Sequence, residues 1–242
     1  MKLTINDIDI NYIEYGNKKG KTLVLLHGWQ QNIEMMKPLG DRLKDKYHII
    51  IIDLPGFGES SEPKEIMNIY DYNSVVEKVL TKLKVKNPSM IGHSFGGRIS
   101  IVYASRNPVE KVVLFGSPCI RKEKKLSLKV RILKKLKTVP GLRRFEGFAK
   151  KHIGSRDYKA ASPMMRDILV RTVNEDLSDC AKKIKAPTIL IWGDNDTEVS
   201  VEEAKETEKL IKDSALIVLP NSTHYAYLEN LNQVTNIINE FI

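Results

Sequence analysis

Ser94 stands in the run Gly92-His93-Ser94-Phe95-Gly96, directly after the apolar pair Met90-Ile91 and ahead of a helix-like stretch, the spacing of a G-x-S-x-G nucleophile elbow. A serine lifted on so tight a turn takes positive φ, and the following helix passes close to the preceding strand. Small neighbours at Gly92, Gly96 and Gly97 provide that room. The hydroxyl is a weak nucleophile at neutral pH. It needs a neutral imidazole to take its proton and a carboxylate to orient the imidazole.

The chain has five histidines. His27, His48 and His93 precede Ser94, His152 lies in a basic segment, and only His224 follows a late strand-like run, in the loop Asn221-Ser222-Thr223-His224. Serines on such elbows take their partners in the order Ser, then Asp or Glu, then His, which singles out His224. The acid then belongs after the run Thr188 to Trp192, where Asp194, Asp196 and Glu198 compete. Asp196 is favoured, because a residue a few positions past the strand end can reach toward the His224 loop. Asp194 is expected to cap the turn itself.

Two donors must also face the developing oxyanion, and losing one costs about 3 to 4 kcal/mol of transition-state stabilisation. The backbone N–H of Phe95, next to the nucleophile, and that of Trp29, on the loop after the run Leu23 to Leu26, are the expected pair. His27 and His93 are expected to brace the loops that carry these groups, and Asp53 with Gly56 and Gly58 to shape a turn. Phe145, Phe148, Met164, Met165 and Tyr225 either line a substrate pocket or fill an interface with the sheet.

Strand-like runs at 3–13, 23–26, 48–53, 90–91, 112–115, 188–192 and 215–219 must position these groups. Helix-length segments at 33–46, 69–84, 97–106, 201–212 and 231–242 separate most of them. Continuously apolar strands between helices predict a mostly parallel sheet covered on both faces; the first run alternates and suits an antiparallel edge. From about Ser117 to Lys185 there are only helix-like segments, such as Leu126 to Lys137 and Pro163 to Val173. The expected organisation is an α/β core of 1–116 and 186–242 with an inserted helical cap at 117–185.

At 242 residues and 42% hydrophobic, the chain suits one α/β unit with an insertion. Cys119 and Cys180 are too few for a disulfide framework or a zinc site. With no signal-peptide pattern and no run approaching the roughly 18 apolar residues of a membrane span, a soluble cytoplasmic protein is expected. The formal charge of +9 is concentrated. Arg121 to Lys151 holds thirteen basic against two acidic residues, a local +11, leaving the rest near −2. This is either one solvated helix face or a surface for an anionic acyl donor or acidic surface; nucleic acid ranks lower, because interleaved aromatics are missing.

The motifs HGW at His27–Trp29, DLPGFGES at Asp53–Ser60, GHSFGG at Gly92–Gly97, WGDND at Trp192–Asp196 and STHYAYLE at Ser222–Glu229 together resemble the α/β-hydrolase superfamily, in its compact cap-bearing branch of esterases, lipases and C–C bond hydrolases. The resemblance implies Ser94, Asp196 and His224 as the triad, the Trp29 and Phe95 amides as the oxyanion hole, and no cofactor or metal. Gln30 replaces a frequent proline after HG-x, and Ser200 stands where a proline often follows the acid. Serine at the nucleophile position disfavours the epoxide hydrolases and haloalkane dehalogenases, which need a carboxylate there. The expected function is hydrolysis of a small or medium carboxylic ester through an acyl-enzyme. The alternatives are a C–C bond hydrolase or lyase on a carbonyl substrate, and a non-catalytic receptor on the same scaffold. Oligomeric state is not legible.

Overall fold

The computed structural model describes residues 1–121, 158 and 160–242. Eight strands form one sheet: β1 (Lys2–Ile5), β2 (Ile8–Gly16), β3 (Thr22–Leu26), β4 (His48–Ile52), β5 (Ser89–His93), β6 (Val112–Phe115), β7 (Thr188–Gly193) and β8 (Ser214–Leu219). Their order is β1-β2-β4-β3-β5-β6-β7-β8; β2 pairs antiparallel with both β1 and β4, and the remaining pairings, from β4–β3 to β7–β8, are parallel.

The described helices are α1 (Ile33–Leu43), α2 (Ile69–Lys82), α3 (Phe95–Arg106), α4 (Pro163–Val173), α5 (Ser178–Ala181), α6 (Val201–Leu210), α7 (Ala226–Glu229) and α8 (Leu231–Phe241). Strand side chains alternate between the two faces. Leu23, Leu25, Ile49, Ile51 and Ile91 pack with α1 and α8, while Val24, Leu26, Ile50, Ile52 and Met90 pack with α2 and α3. Apolar cover on both sides is why these strands read as unbroken hydrophobic runs.

The first run differs from expectation. Asn6 and Asp7 take φ of 49° and 59°, and Ile5 pairs with Ile8, so a two-residue hairpin turn splits it into β1 and β2. The Asn6-Asp7 pair breaks the alternation there, which runs on odd positions up to Ile5 and on even positions from Ile8. Helix ends shift for local reasons: α2 stops at Lys82 because Lys84 takes φ of 57°, and α6 stops at Leu210 because Ile211 is extended.

Between β6 and β7 the described residues hold α4, where the sequence predicts it, and α5. The predicted helix 126–137 lies outside the described residues, as do most of the basic segment, Phe145, Phe148 and His152. Among the described residues no helix is long and apolar enough to cross a membrane.

Candidate active site

The parallel strands end on one rim, and the loops leaving β3, β5, β7 and β8 bring the candidate groups there. Ser94 follows β5 at φ 48° and ψ −108°, a left-handed conformation rare for a side-chain-bearing residue. Its N–H donates to the Phe115 carbonyl at 2.8 Å, which ties the turn to β6. A Cβ at Gly92 would lie 2.5 Å from Gly97 Cα, so the helix can turn back over the strand only if that position is glycine.

Asp196 follows β7 and His224 follows β8. The carboxylate Oδ2 lies 2.8 Å from His224 Nδ1, with the Asp196 side chain fully buried and the ring 11% exposed. Asp196 Oδ1 accepts the N–H groups of Glu198 and Val199, both at 2.9 Å, which fixes the carboxylate plane. With Nδ1 facing a carboxylate, the ring carries its proton there and leaves Nε2 bare, the tautomer of a general base. Asp194 has another role: its Oδ1 accepts the Ser222 N–H at 3.1 Å and braces the same loop.

The His224 loop is held from its far side by Glu229, whose two oxygens accept from the Thr223 N–H at 2.7 Å and the Thr223 hydroxyl at 2.6 Å. The ring rests on Gly116, where a Cβ would come within 2.8 Å of Nδ1 and Cε1. Gly116 directly follows Phe115, the anchor of the Ser94 amide, and the His224 ring centroid is 4.7 Å from that of His93. Ser94 and the His224 ring are thus anchored against consecutive residues, Phe115 and Gly116. Among the described residues, however, the Ser94 hydroxyl forms no hydrogen bond with the ring.

On the loop after β3, His27 Nδ1 donates to the Gly28 carbonyl at 2.7 Å and Nε2 accepts the Leu54 N–H at 3.0 Å. Burial, partly opposed by that carbonyl and by Asp53, lowers the His27 pKa to about 4. Asp53, 2% exposed, accepts from the Ile33 N–H, the Glu59 N–H and the Asn11 amide at 2.7, 2.9 and 2.8 Å, so it braces three segments. Trp29 and Phe95 meet edge-on at 5.1 Å, with Phe57 against both at 4.8 and 6.1 Å. Among the described residues neither the Trp29 nor the Phe95 N–H donates to a protein acceptor. Gln30 takes φ of 54°, which proline cannot adopt, and Ser200 caps α6 in a capping box with Glu203; both departures from the proline pattern have local causes.

Gln31 escapes sequence reasoning. Its Oε1 accepts the Gly28 N–H at 2.9 Å and faces His93 Nδ1 at 3.1 Å, while its Nε2 points to the Tyr225 hydroxyl at 3.5 Å. His93 Nε2 faces the His224 carbonyl at 3.0 Å. Burial first, then the nearby His224, pushes the His93 pKa to about 3, so at neutral pH the ring has one N–H and donates to one of these two oxygens at a time, according to its tautomer.

A cavity of about 300 Å³ opens beside this loop, lined by Trp29, Gln30, Phe57, Glu62, Ala161 and Met165 among others. Met164 instead packs against the core, and Tyr225, 39% exposed, stands on the rim 5.7 Å from the His224 ring.

A family model described as alpha/beta hydrolase fold matches residues 21–137. The chain is 27% identical to the uncharacterized hydrolase YugF of Bacillus subtilis (strain 168), over 100% of this chain and 97% of that protein. It is also 27% identical to Lipase 1 of Psychrobacter immobilis, over 93% of this chain and 78% of that protein. Among solved structures, a bromoperoxidase from Bacillus anthracis superposes with a TM-score of 0.80 at 24% identity, covering 100% of this chain and 98% of that one. The chain has the α/β-hydrolase fold and is similar in sequence to proteins of that kind.

Proposed function

We propose that the protein is a serine hydrolase of small or medium carboxylic esters, with Ser94 as nucleophile, His224 as general base and Asp196 as the acid that orients it. The observation that carries the reading is the Asp196–His224 contact of 2.8 Å, set over Gly116 beside a serine held at φ 48°. Ser94 Oγ attacks the ester carbonyl carbon while His224 Nε2 takes its proton, and the Trp29 and Phe95 amides receive the oxyanion. The tetrahedral centre collapses, the carbon–alkoxide bond breaks, and His224 returns the proton to the leaving alcohol. Water, deprotonated by the same ring, then releases the acid and restores Ser94. The hydroxyl–imidazole bond missing in the free protein forms as substrate seats, a common tightening in such sites.

In this reading residues 117–185 are a helical cap on the core of 1–116 and 186–242, the protein works in the cytoplasm, and the basic segment attracts an anionic acyl donor. Labelling with a fluorophosphonate and turnover of aryl esters of graded acyl length test the chemistry. Burst release and loss of label in Ser94→Ala support it. No label with retained ligand affinity would indicate a binding protein, and cleavage of a vinylogous diketone in place of esters would indicate C–C hydrolysis.

A further inference from the structure

Helix α3 buries ten of its twelve residues, and one of these is charged. Arg98, 5% exposed, lies one turn beyond the nucleophile, its N–H donating to the Ser94 carbonyl at 3.2 Å. Among the described residues its guanidinium pairs with no carboxylate. Nη1 donates to the Pro118 carbonyl at 2.9 Å, and Nη2 donates to the Thr172 and Glu175 carbonyls at 3.0 and 2.7 Å. Thr172 is in the last turn of α4, where carbonyls lack helical donors and a cation is electrostatically favoured. A planar fork of donors can serve three carbonyls at once, which an ammonium on a flexible stem cannot.

The other end of α4 faces the site. Ser162, its N-cap, accepts the Met165 N–H at 3.2 Å and donates to Glu62 Oε1 at 2.8 Å. Ala161, Ser162 and Met165 form one wall of the cavity whose other side is Trp29 and Phe57. An eleven-residue helix is a rod about 16 Å long, so a displacement where Arg98 grips it is carried to the cavity wall.

We propose that Arg98 is a positioning residue for specificity: by clamping the C-terminal end of α4 to the nucleophile's helix, it sets the width of the cavity beside Trp29 and selects the size of the substrate group held there. The proposal rests on the serine-hydrolase reading and adds to it a determinant remote from the reacting atoms.

Two variants test it. Arg98→Lys keeps the charge and loses the fork. Asp176→Ala loosens the same root from outside, since the exposed Asp176 accepts the N–H groups of Arg121 and Ser178 at 2.7 and 2.9 Å. For each, kcat and KM are measured over aryl esters of increasing acyl length, alongside the labelling rate of Ser94 by a small fluorophosphonate. In Arg98→Lys the labelling rate should stay within about 2-fold while KM for the bulkiest esters rises about 5-fold or more and KM for the acetate holds. Asp176→Ala should move the chain-length profile the same way, more weakly. Hydrogen exchange should quicken at Leu177, whose N–H bonds to the Cys119 carbonyl, and not in β5.

A fall in kcat and labelling rate at every acyl length would limit Arg98 to supporting the elbow and overturn the proposal. If Arg98→Lys fails to fold, an unchanged profile in Asp176→Ala overturns it. Wild-type protein that takes no label defeats the hydrolase reading instead, a separate failure.

Discussion

His93 Nε2 lies 3.0 Å from the main-chain oxygen of His224, so the residue before Ser94 reaches the backbone of the proposed general base. Through Nδ1 the same ring reaches Gln31, which holds Gly28. His93→Ala should lower kcat about 10-fold or more with a smaller change in KM, and destabilise the fold by about 1–3 kcal/mol, because buried partners lose their contact. Steady-state kinetics and urea unfolding measure the two separately.

The acid can be assigned by comparing two carboxylates. Asp196→Asn should cut kcat by about 10⁴, since the amide no longer enforces the working tautomer. Asp194→Asn should leave kcat within a few-fold and cost about 1 kcal/mol of stability through the Ser222 N–H it accepts. A larger kinetic loss at 194 than at 196 would reverse the assignment.

Acid should unfold the protein in a defined window. His27 and His93 have folded-state pKa values of about 4 and about 3, below the ordinary 6.5, so between these values the unfolded chain binds more protons. The stability this provides is present above pH 6.5 and is lost as pH falls toward 3. Each ring contributes a slope of about 1.4 kcal/mol per pH unit across its window. Urea midpoints at a series of pH values should show the decline, and His27→Gln should flatten part of it.

Asp53 accepts three hydrogen bonds from three segments while 2% exposed, so Asp53→Ala leaves all three donors without a partner. A loss of about 3 kcal/mol or more is expected, read from chemical denaturation. Stability short of a 1 kcal/mol change would show that water replaces the carboxylate at little cost.

The local charge of +11 at Arg121–Lys151 should make kcat/KM for an anionic ester fall with ionic strength more steeply than for a neutral ester of equal length. Equal salt dependence would remove steering from the account.

What the chain discloses and what it hides divide along a physical line. Strands β3, β4 and β6 are legible because burial on both faces leaves uninterrupted apolar runs, and Ser94 is legible because its backbone geometry demands small neighbours at fixed spacing. Asn11, Gln31 and Glu229 carry no such local mark. Each is an ordinary polar residue whose role comes from where its partner arrives, in the case of Asn11 and Asp53 a separation of 42 residues. Arg98 did leave a trace, a lone charge among Ile99, Ile101 and Val102, but its three carbonyl partners belong to backbone that no side-chain pattern reveals. Met165 faces the cavity and Met164 does not, because adjacent helical residues point about 100° apart.

β5, which delivers the serine, is flanked by strands on both sides, whereas β8, which delivers the histidine loop, is the last strand of its sheet and is supported by β7 alone. Heat should therefore fray the margin first. Turnover would then fade while the interior is still intact, and the enzyme would fall silent at a temperature lower than the one at which it melts.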